Sequence, residues 1–140
     1  MTQHVRNLVL LACTALLACS ESTEPRSSLL VVLDEVSFEP ATGLHVAFTV
    51  RNVGSHTEEV SACGGRVNPV LERRRTVDWH PYAGGICQAH VSWLPIPIEP
   101  GATLTGTAGA ARAESGTFRL VLAYAPNGTA RVVSAAFRVP

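Results

Sequence analysis

Two cysteines and two histidines are the side chains of this 140-residue chain best suited to chemistry. Cys63 and Cys87 are 24 positions apart, and His80 and His90 flank the second cysteine. A Cys₂His₂ set can hold tetrahedral zinc, whereas a cupredoxin-type copper site needs one Cys, two His and commonly a Met. Structural zinc sites usually show close ligand pairs in both halves, and Cys63 has no near partner. The other reading of these two thiols is a disulfide between Cys63 and Cys87.

Catalysis has no recognisable signature in the chain. Ser92 and Asp78 are present near the histidines, but no Gly-x-Ser-x-Gly turn or comparable pattern surrounds them. We therefore expect no enzyme activity, no catalytic residue and no cofactor.

An aromatic segment is the most suggestive binding surface. Trp79, His80 and Tyr82 lie in a stretch containing Pro and Gly, expected as a loop over Asp78–Gly85, and Arg74 precedes it in the run Arg73–Arg75. Rigid aromatics and arginines are typical of binding hot spots. The alternatives are that Trp79 fills the core and that the arginine run only keeps a sheet edge soluble.

The N-terminal segment has the pattern of a targeting signal. Arg6 precedes an apolar run that ends at Leu17, and a small residue, Ala18, precedes Cys19. This is the order of a secretory signal. The tetrapeptide Leu-Leu-Ala-Cys that ends at Cys19 resembles the lipobox of bacterial lipoproteins, which implies cleavage before Cys19 and lipidation of its thiol. An earlier copy, ending at Cys13, leaves an apolar run of only about five residues, below the roughly 7–15 of such signals.

The resemblance divides the chain into a signal peptide (1–18), a lipidated cysteine with a flexible polar tether (19–28) and one domain (29–140). It implies a lipid anchor at the bacterial cell envelope, and Ser20 after the cysteine favours an outer membrane. Export to an oxidising compartment favours the disulfide between Cys63 and Cys87. That bond would close a loop of about 25 residues, worth roughly 3 kcal/mol. An intact bridge would also remove both sulfur ligands from a metal site.

Alternation of apolar and polar residues with period two predicts an all-β domain. It is clearest in Leu44–Arg51 and Thr117–Tyr124, and the segment Ala130–Val139 is expected to keep Val133, Ala135, Phe137 and Val139 on one face. The other predicted strands are Leu29–Phe38, Val67–Arg73, Cys87–Leu94 and Thr103–Thr107. Pro126-Asn127-Gly128 predicts a hairpin turn, because Asn-Gly accepts the positive φ angles of tight turns. Seven or eight short strands with such turns favour a β-sandwich, with Trp93 buried between its sheets.

Three local phrases resemble bacterial immunoglobulin-like domains. They are a strand followed by Asn and small residues at Phe48–Gly54, a Pro-Gly approach to a strand at Ile98–Leu104, and Gly-x-aromatic-x-apolar at Gly116–Leu120. The resemblance implies an immunoglobulin-like or fibronectin-III-like sandwich, and it implies no activity.

Charge excludes one class of partner. The chain has 11 basic and 11 acidic residues, so no overall field attracts nucleic acid. We expect a membrane-anchored, non-catalytic interaction module for an envelope protein or glycan. The alternative is a periplasmic zinc- or copper-binding protein that uses Cys63, His80, Cys87 and His90.

Overall fold

The computed structural model describes residues 27–124 and 130–140, and within them every regular element is a β-strand. The signal peptide, Cys19 and the predicted turn at Pro126-Asn127-Gly128 lie outside the described residues. The strands, numbered along the chain, are β1 Leu29–Glu39, β2 Gly43–Asn52, β3 Glu58–Val60, β4 Ala62–Cys63, β5 Arg66–Val67, β6 Val70–Arg75, β7 Asp78–Gly84, β8 Ile96–Ile98, β9 Thr103–Ala110, β10 Gly116–Tyr124, β11 Ala130–Val133 and β12 Phe137–Val139. Among these residues no helix is long and apolar enough to cross a membrane.

Two antiparallel sheets form the sandwich. The first has the strand order β1-β2-β9, and the second has β7-β6-β10-β3-β8, with β11 and β12 also paired to β10. A separate two-stranded hairpin joins β4 and β5. Neighbours in a sheet are often distant in sequence, as when β2 pairs with β9, so the chain passes repeatedly between the layers. The predicted all-β sandwich is confirmed.

The core is built from the inward residues of one central strand in each sheet. Period-two alternation places Val46, Phe48 and Val50 of β2 on one inner face, and Phe118 and Leu120 of β10 opposite them, all fully buried. Leu122 of β10, Leu71 of β6 and Val60 of β3 complete the centre of the cluster. The clearest patterns in the sequence therefore belong to the strands that hold the core.

Asn52 closes one end of the sandwich. It is buried, its amide nitrogen donates to the backbone oxygens of His56 and Ile98 at 2.7 and 2.8 Å, and its side-chain oxygen accepts from the Gly54 N–H at 2.9 Å. These three bonds fix the turn after β2 against the end of β8. A buried amide is stable here because each of its polar atoms has a partner.

The prediction that Ala130–Val139 forms one continuous strand is wrong. The segment is broken into β11 and β12, and the inward residues are Val132, Ser134, Phe137 and Val139. Phe137 and Val139 share a face as predicted, whereas Val133, which is 40% exposed, and Ala135 point outward. The Ser134 N–H donates to the Leu120 oxygen, and the Ser134 hydroxyl accepts from the Leu120 N–H, both at 2.9 Å. The hydroxyl thus takes the place of a ladder carbonyl, and this side-chain bond shifts the face that points inward.

Two shorter predictions are also wrong. No strand forms over Cys87–Leu94, which runs as a loop, and β6 begins at Val70, after the separate short strand β5. Trp93 lies in that loop and is 54% exposed, so it does not fill the core. Phe48 and Phe118 already occupy the centre between the sheets, and the loop lies outside them.

Candidate functional site

Cys63 and Cys87 form a disulfide, as predicted. The sulfur atoms are 1.96 Å apart and the Cα atoms 5.7 Å apart. The bond ties the β4–β5 hairpin to the loop after β7, and the Gly64 N–H donates to the Ser92 oxygen at 3.0 Å beside it. It therefore fixes the segment whose strand signal is weakest.

The metal-site alternative loses its sulfur ligands to this bond. His80 lies on β7 and His90 in the loop, and both side chains are exposed. Across the ranges 27–124 and 130–140, no group of three or more His, Cys, Asp or Glu side chains could hold a metal ion. The structure does not assemble Cys63, His80, Cys87 and His90 into one open site.

The segment predicted as an aromatic loop is a strand, and this changes which of its side chains lie next to one another. Asp78–Gly84 forms β7, at the edge of the larger sheet, where Arg74 pairs with Trp79 and Arg73 with His80. Because residues directly opposite one another share a face of the sheet, Trp79 and Arg74 lie on the face opposite to His80. The set Trp79, His80, Tyr82 and Arg74 is therefore divided between the two faces of the sheet.

Tyr82 belongs to the inner layer. Its ring packs edge-on against Phe118 with centroids 5.1 Å apart, and its hydroxyl bonds the Arg112 carbonyl and the Glu114 N–H at 2.7 and 3.0 Å. Arg73 lies beside this ring and pairs with Glu114. Tyr82 thus anchors the connection between β9 and β10, and we assign it a structural role.

The outer face of the larger sheet carries the most organised polar cluster among the described residues. Glu72 of β6 is only 4% exposed, and it bonds Arg119 of the neighbouring β10 and Arg131 of β11. The Arg119 Nε donates to Glu72 at 2.8 Å, and its second nitrogen lies 2.7 Å from the same oxygen. Glu72 is thereby held between two guanidinium groups, with both its oxygens bonded.

Two opposing effects set the pKa of Glu72. Burial alone would raise this pKa, because it removes water from the charged form. The hydrogen bonds from Arg119 and Arg131, together with their positive charges, act in the other direction and prevail, so the pKa lies below its ordinary value. Glu72 is therefore a carboxylate at neutral pH.

Trp79 extends the cluster to the sheet edge. The Arg119 guanidinium carbon lies 4.3 Å from the centroid of the Trp79 ring, within range of a cation–π interaction. Arg119 is thus held by the indole and by the Glu72 carboxylate. The arrangement leaves Trp79 partly exposed and Arg131 exposed on a rigid surface.

We call this surface the arginine face. Strand pairing places Arg74, Arg119, Arg131 and Arg138 on it, since Arg138 lies opposite Thr117, two residues before Arg119. The carboxylates that the described strands place on this face are Glu72 and, on β3, Glu59, the neighbour of the inward Val60. Four guanidinium groups against two carboxylates leave it with an excess of positive charge, although the whole chain is neutral. A planar guanidinium is suited to paired hydrogen bonds with carboxylate or phosphate oxygens.

Sequence reasoning identified Trp79 and Arg74 but missed Glu72, Arg119 and Arg131. Arg119 does lie between two apolar residues that point into the core, which marks it as an outward residue. Glu72 follows the inward Leu71 but precedes a charged residue, so its pattern is weaker. The pairing of β6 with β10 joins residues 47 positions apart, and no local pattern contains that information.

Comparison with known proteins adds two structural likenesses. No family model and no curated protein matches the chain. A crystal structure of a Bordetella pertussis protein provisionally named ApaA has 20% identity and a TM-score of 0.43, covering 79% of this chain and 91% of that one. A structural genomics target designated SoR45 has 12% identity and a TM-score of 0.37, covering 79% and 82%. Neither likeness carries an inference about function.

Proposed function

We propose that this chain is a lipid-anchored, non-catalytic binding module of the bacterial cell envelope, and that its arginine face contacts an acidic partner, an envelope protein or a glycan. The anchor is Cys19, at the end of the lipobox-like tetrapeptide. The disulfide is consistent with an oxidising compartment. No observation favours the metal-binding alternative, because both thiols are bonded to each other.

The observation that carries the proposal is the fixing of Arg119 between Trp79 and Glu72. An arginine held on both sides loses little side-chain freedom when a partner binds, which reduces the entropic cost of association. Tryptophan and arginine are also the residues most enriched at binding hot spots. Arg74 and Arg138, both exposed, extend the positive surface on either side.

Binding of two acidic polymers, poly-glutamate and polygalacturonate, tests this proposal with the mature protein. Changing Arg74 and Arg138 to Gln together should weaken binding about tenfold or more, and salt should matter less to what remains. Neither side chain takes part in the Glu72 cluster, so the fold should persist. The matched control changes Arg51 and Arg112 to Gln, which removes the same charge from exposed positions elsewhere.

The two polymers separate a protein-like from a glycan-like partner. Weaker binding only in the Arg74/Arg138 variant supports the arginine face. Equal losses in both double variants would mean that charge alone, without this surface, accounts for the binding. Absence of binding to either polymer would contradict an acidic partner.

A further inference from the structure

The β9 strand is an edge that the described part of the chain leaves open. It lies at the end of the sheet order β1-β2-β9, and its backbone hydrogen bonds go to β2 alone among these residues. Its eight residues contain no charge and no proline, and its register with β2 is continuous, without a bulge. Open edges of this kind pair readily with other chains, so proteins normally protect them.

The other described edges carry such protection. The β1 strand has a bulge between Leu33 and Glu35 with charged residues beside it, and β7 has Pro81 and a bulge at the same place. The β8 strand has three residues with Pro97 at its centre, and β11 and β12 are four and three residues long. Bulges, prolines, charges and short length are the usual means of preventing edge pairing. The contrast singles out β9.

The free backbone groups of β9 can be assigned from the ladder. The Asn52 N–H donates to the Ala102 oxygen at 3.0 Å, and the Asn52 oxygen accepts from the Gly101 N–H at 2.9 Å. Hydrogen-bonded and non-hydrogen-bonded pairs then alternate along an antiparallel ladder. Leu104, Gly106, Ala108 and Ala110 therefore bond β2, while the N–H and C=O groups of Thr103, Thr105, Thr107 and Gly109 point away from it.

Two cavities lie along this edge at the spacing of an extended peptide. One of about 680 Å³ touches β9 at Leu104–Thr107, extends to Ala47 and Phe48 of the neighbouring β2, and reaches Val67 and Ile96. The other, of about 220 Å³, touches Thr107–Gly109 and reaches Leu71 and Ala83. Their positions along β9 differ by about two residues, or roughly 6.6 Å, which is the spacing of side chains on one face of a strand. Apolar side chains at alternate positions of an added strand would enter them.

We propose that β9 binds an extended segment of a partner protein as an added strand, with uncharged apolar side chains at alternate positions. Main-chain bonds to Thr103, Thr105, Thr107 and Gly109 would supply affinity, and the two cavities would supply selectivity. This site is separate from the arginine face and does not depend on the function proposed for that face.

The shape and charge of the two cavities indicate which kind of segment would pair with β9. A second copy pairing through its own β9 would offer one large side chain, Leu104, and otherwise only glycine and alanine at alternate positions, so it could fill at most one of the two cavities. The chain's own polar stretch Ser20–Ser28 contains no apolar side chain larger than proline. The larger cavity carries Asp34 and Arg66, whose charges cancel, so it favours an uncharged segment.

Amide hydrogen exchange of the full mature protein in detergent micelles tests the proposal. The probe is the peptide Lys-Thr-Val-Thr-Val-Thr-Lys, and the control peptide has proline in place of its central threonine. At saturation we expect exchange at Thr103, Thr105, Thr107 and Gly109 to slow by roughly tenfold or more, because these amides gain partners. The amides of Leu104, Gly106 and Ala108 should be protected with or without peptide.

Two substitutions at one position complete the test. Thr105→Pro removes an outward N–H and should abolish the slowing at Thr103, Thr107 and Gly109, while the bonds to β2 remain. Thr105→Val keeps the backbone donor and should preserve the slowing. No slowing with the threonine peptide, or equal slowing with both peptides, would overturn the proposal. Protection that appears without peptide and grows with protein concentration would overturn it in favour of a second copy.

Discussion

Glu72 is the residue at which burial and charge are most finely balanced. A carboxylate that is 4% exposed is stable only because two guanidinium groups satisfy both its oxygens. Arg131 remains more than half exposed at its side chain, so solvent screens part of the attraction. The cluster is therefore better understood as a device that fixes Arg119 and Trp79 than as a large source of stability.

Replacing Glu72 with Gln should lower the free energy of unfolding by about 1–3 kcal/mol at neutral pH, because the negative charge between two guanidinium groups is lost and one acceptor oxygen becomes an NH₂ group that cannot accept from arginine. The pKa of Glu72 is lower in the folded protein than its ordinary value of 4.5, so its contribution is complete above that pH. The contribution is lost as the pH falls through the folded pKa. The two proteins should therefore become equally stable in acid.

Urea unfolding of both proteins, measured in steps from neutral pH to acid well below pH 4.5, tests this convergence. The control is Glu59→Gln, which changes an exposed carboxylate on β3 and should alter stability little. A stability difference that stays constant over the whole pH range would contradict the role assigned to the Glu72 charge.

Among the elements, the strands that form the core were predictable and the peripheral ones were not. Leu44–Arg51 alternates because β2 buries one face, and Thr117–Tyr124 does so except at Val121, which is buried on the outer face. The structure extends both segments by only one or two residues. The short strands β3, β4, β5 and β8 have two or three residues, too few to show a period. The β7 strand was missed because its Pro and Gly are depleted in strands and typical of loops, and a bulge at Pro81 interrupts its alternation.

The candidate site was predictable only in part, for a related reason. Trp79 and Arg74 were identified from their residue types, which can be read directly from the sequence. Their separation from His80 and Tyr82 depends on β7 being a strand, and the contacts of Arg119 depend on which strands pair. Pairing is decided by the packing of the whole sandwich and not by any local segment.

The disulfide acts at the scale of elements, since it ties the β4–β5 hairpin to the loop after β7. Changing Cys63 and Cys87 to Ala together should lower the free energy of unfolding by about 2–5 kcal/mol, because the unfolded chain gains the freedom of a loop of about 25 residues. Denaturant unfolding of the variant and of the oxidised protein measures the difference. The reduced wild-type protein is the matched control and should resemble the variant.

Intact mass and metal content of the same samples check the assignment independently. The oxidised protein should be lighter than the reduced protein by two hydrogen atoms and should contain no bound metal. Two free thiols together with stoichiometric zinc or copper would contradict the disulfide and return attention to His80 and His90.

At the scale of the whole molecule, the position at which the chain enters the domain would limit the distance between the domain and a membrane. The Ser27 hydroxyl donates to the Tyr124 hydroxyl at 3.1 Å, so the domain begins beside the end of β10. Ser27 lies eight positions after Cys19, and fully extended chain spans at most about 3.6 Å per residue, or roughly 30 Å in total. A lipid on Cys19 would hold this end of the sandwich within that distance of the bilayer.

The two Leu-Leu-Ala-Cys segments make the anchor directly testable. In a bacterial host, Cys19→Ser should abolish incorporation of labelled palmitate and move the protein from the membrane fraction to the soluble one, because the thiol proposed to carry the acyl chains is lost. Cys13→Ser is the matched control: it alters the earlier copy, within the segment predicted to be cleaved off, and should leave labelling unchanged. Release by Cys13→Ser alone would place the lipid on the earlier cysteine, and release by neither would contradict lipid anchoring.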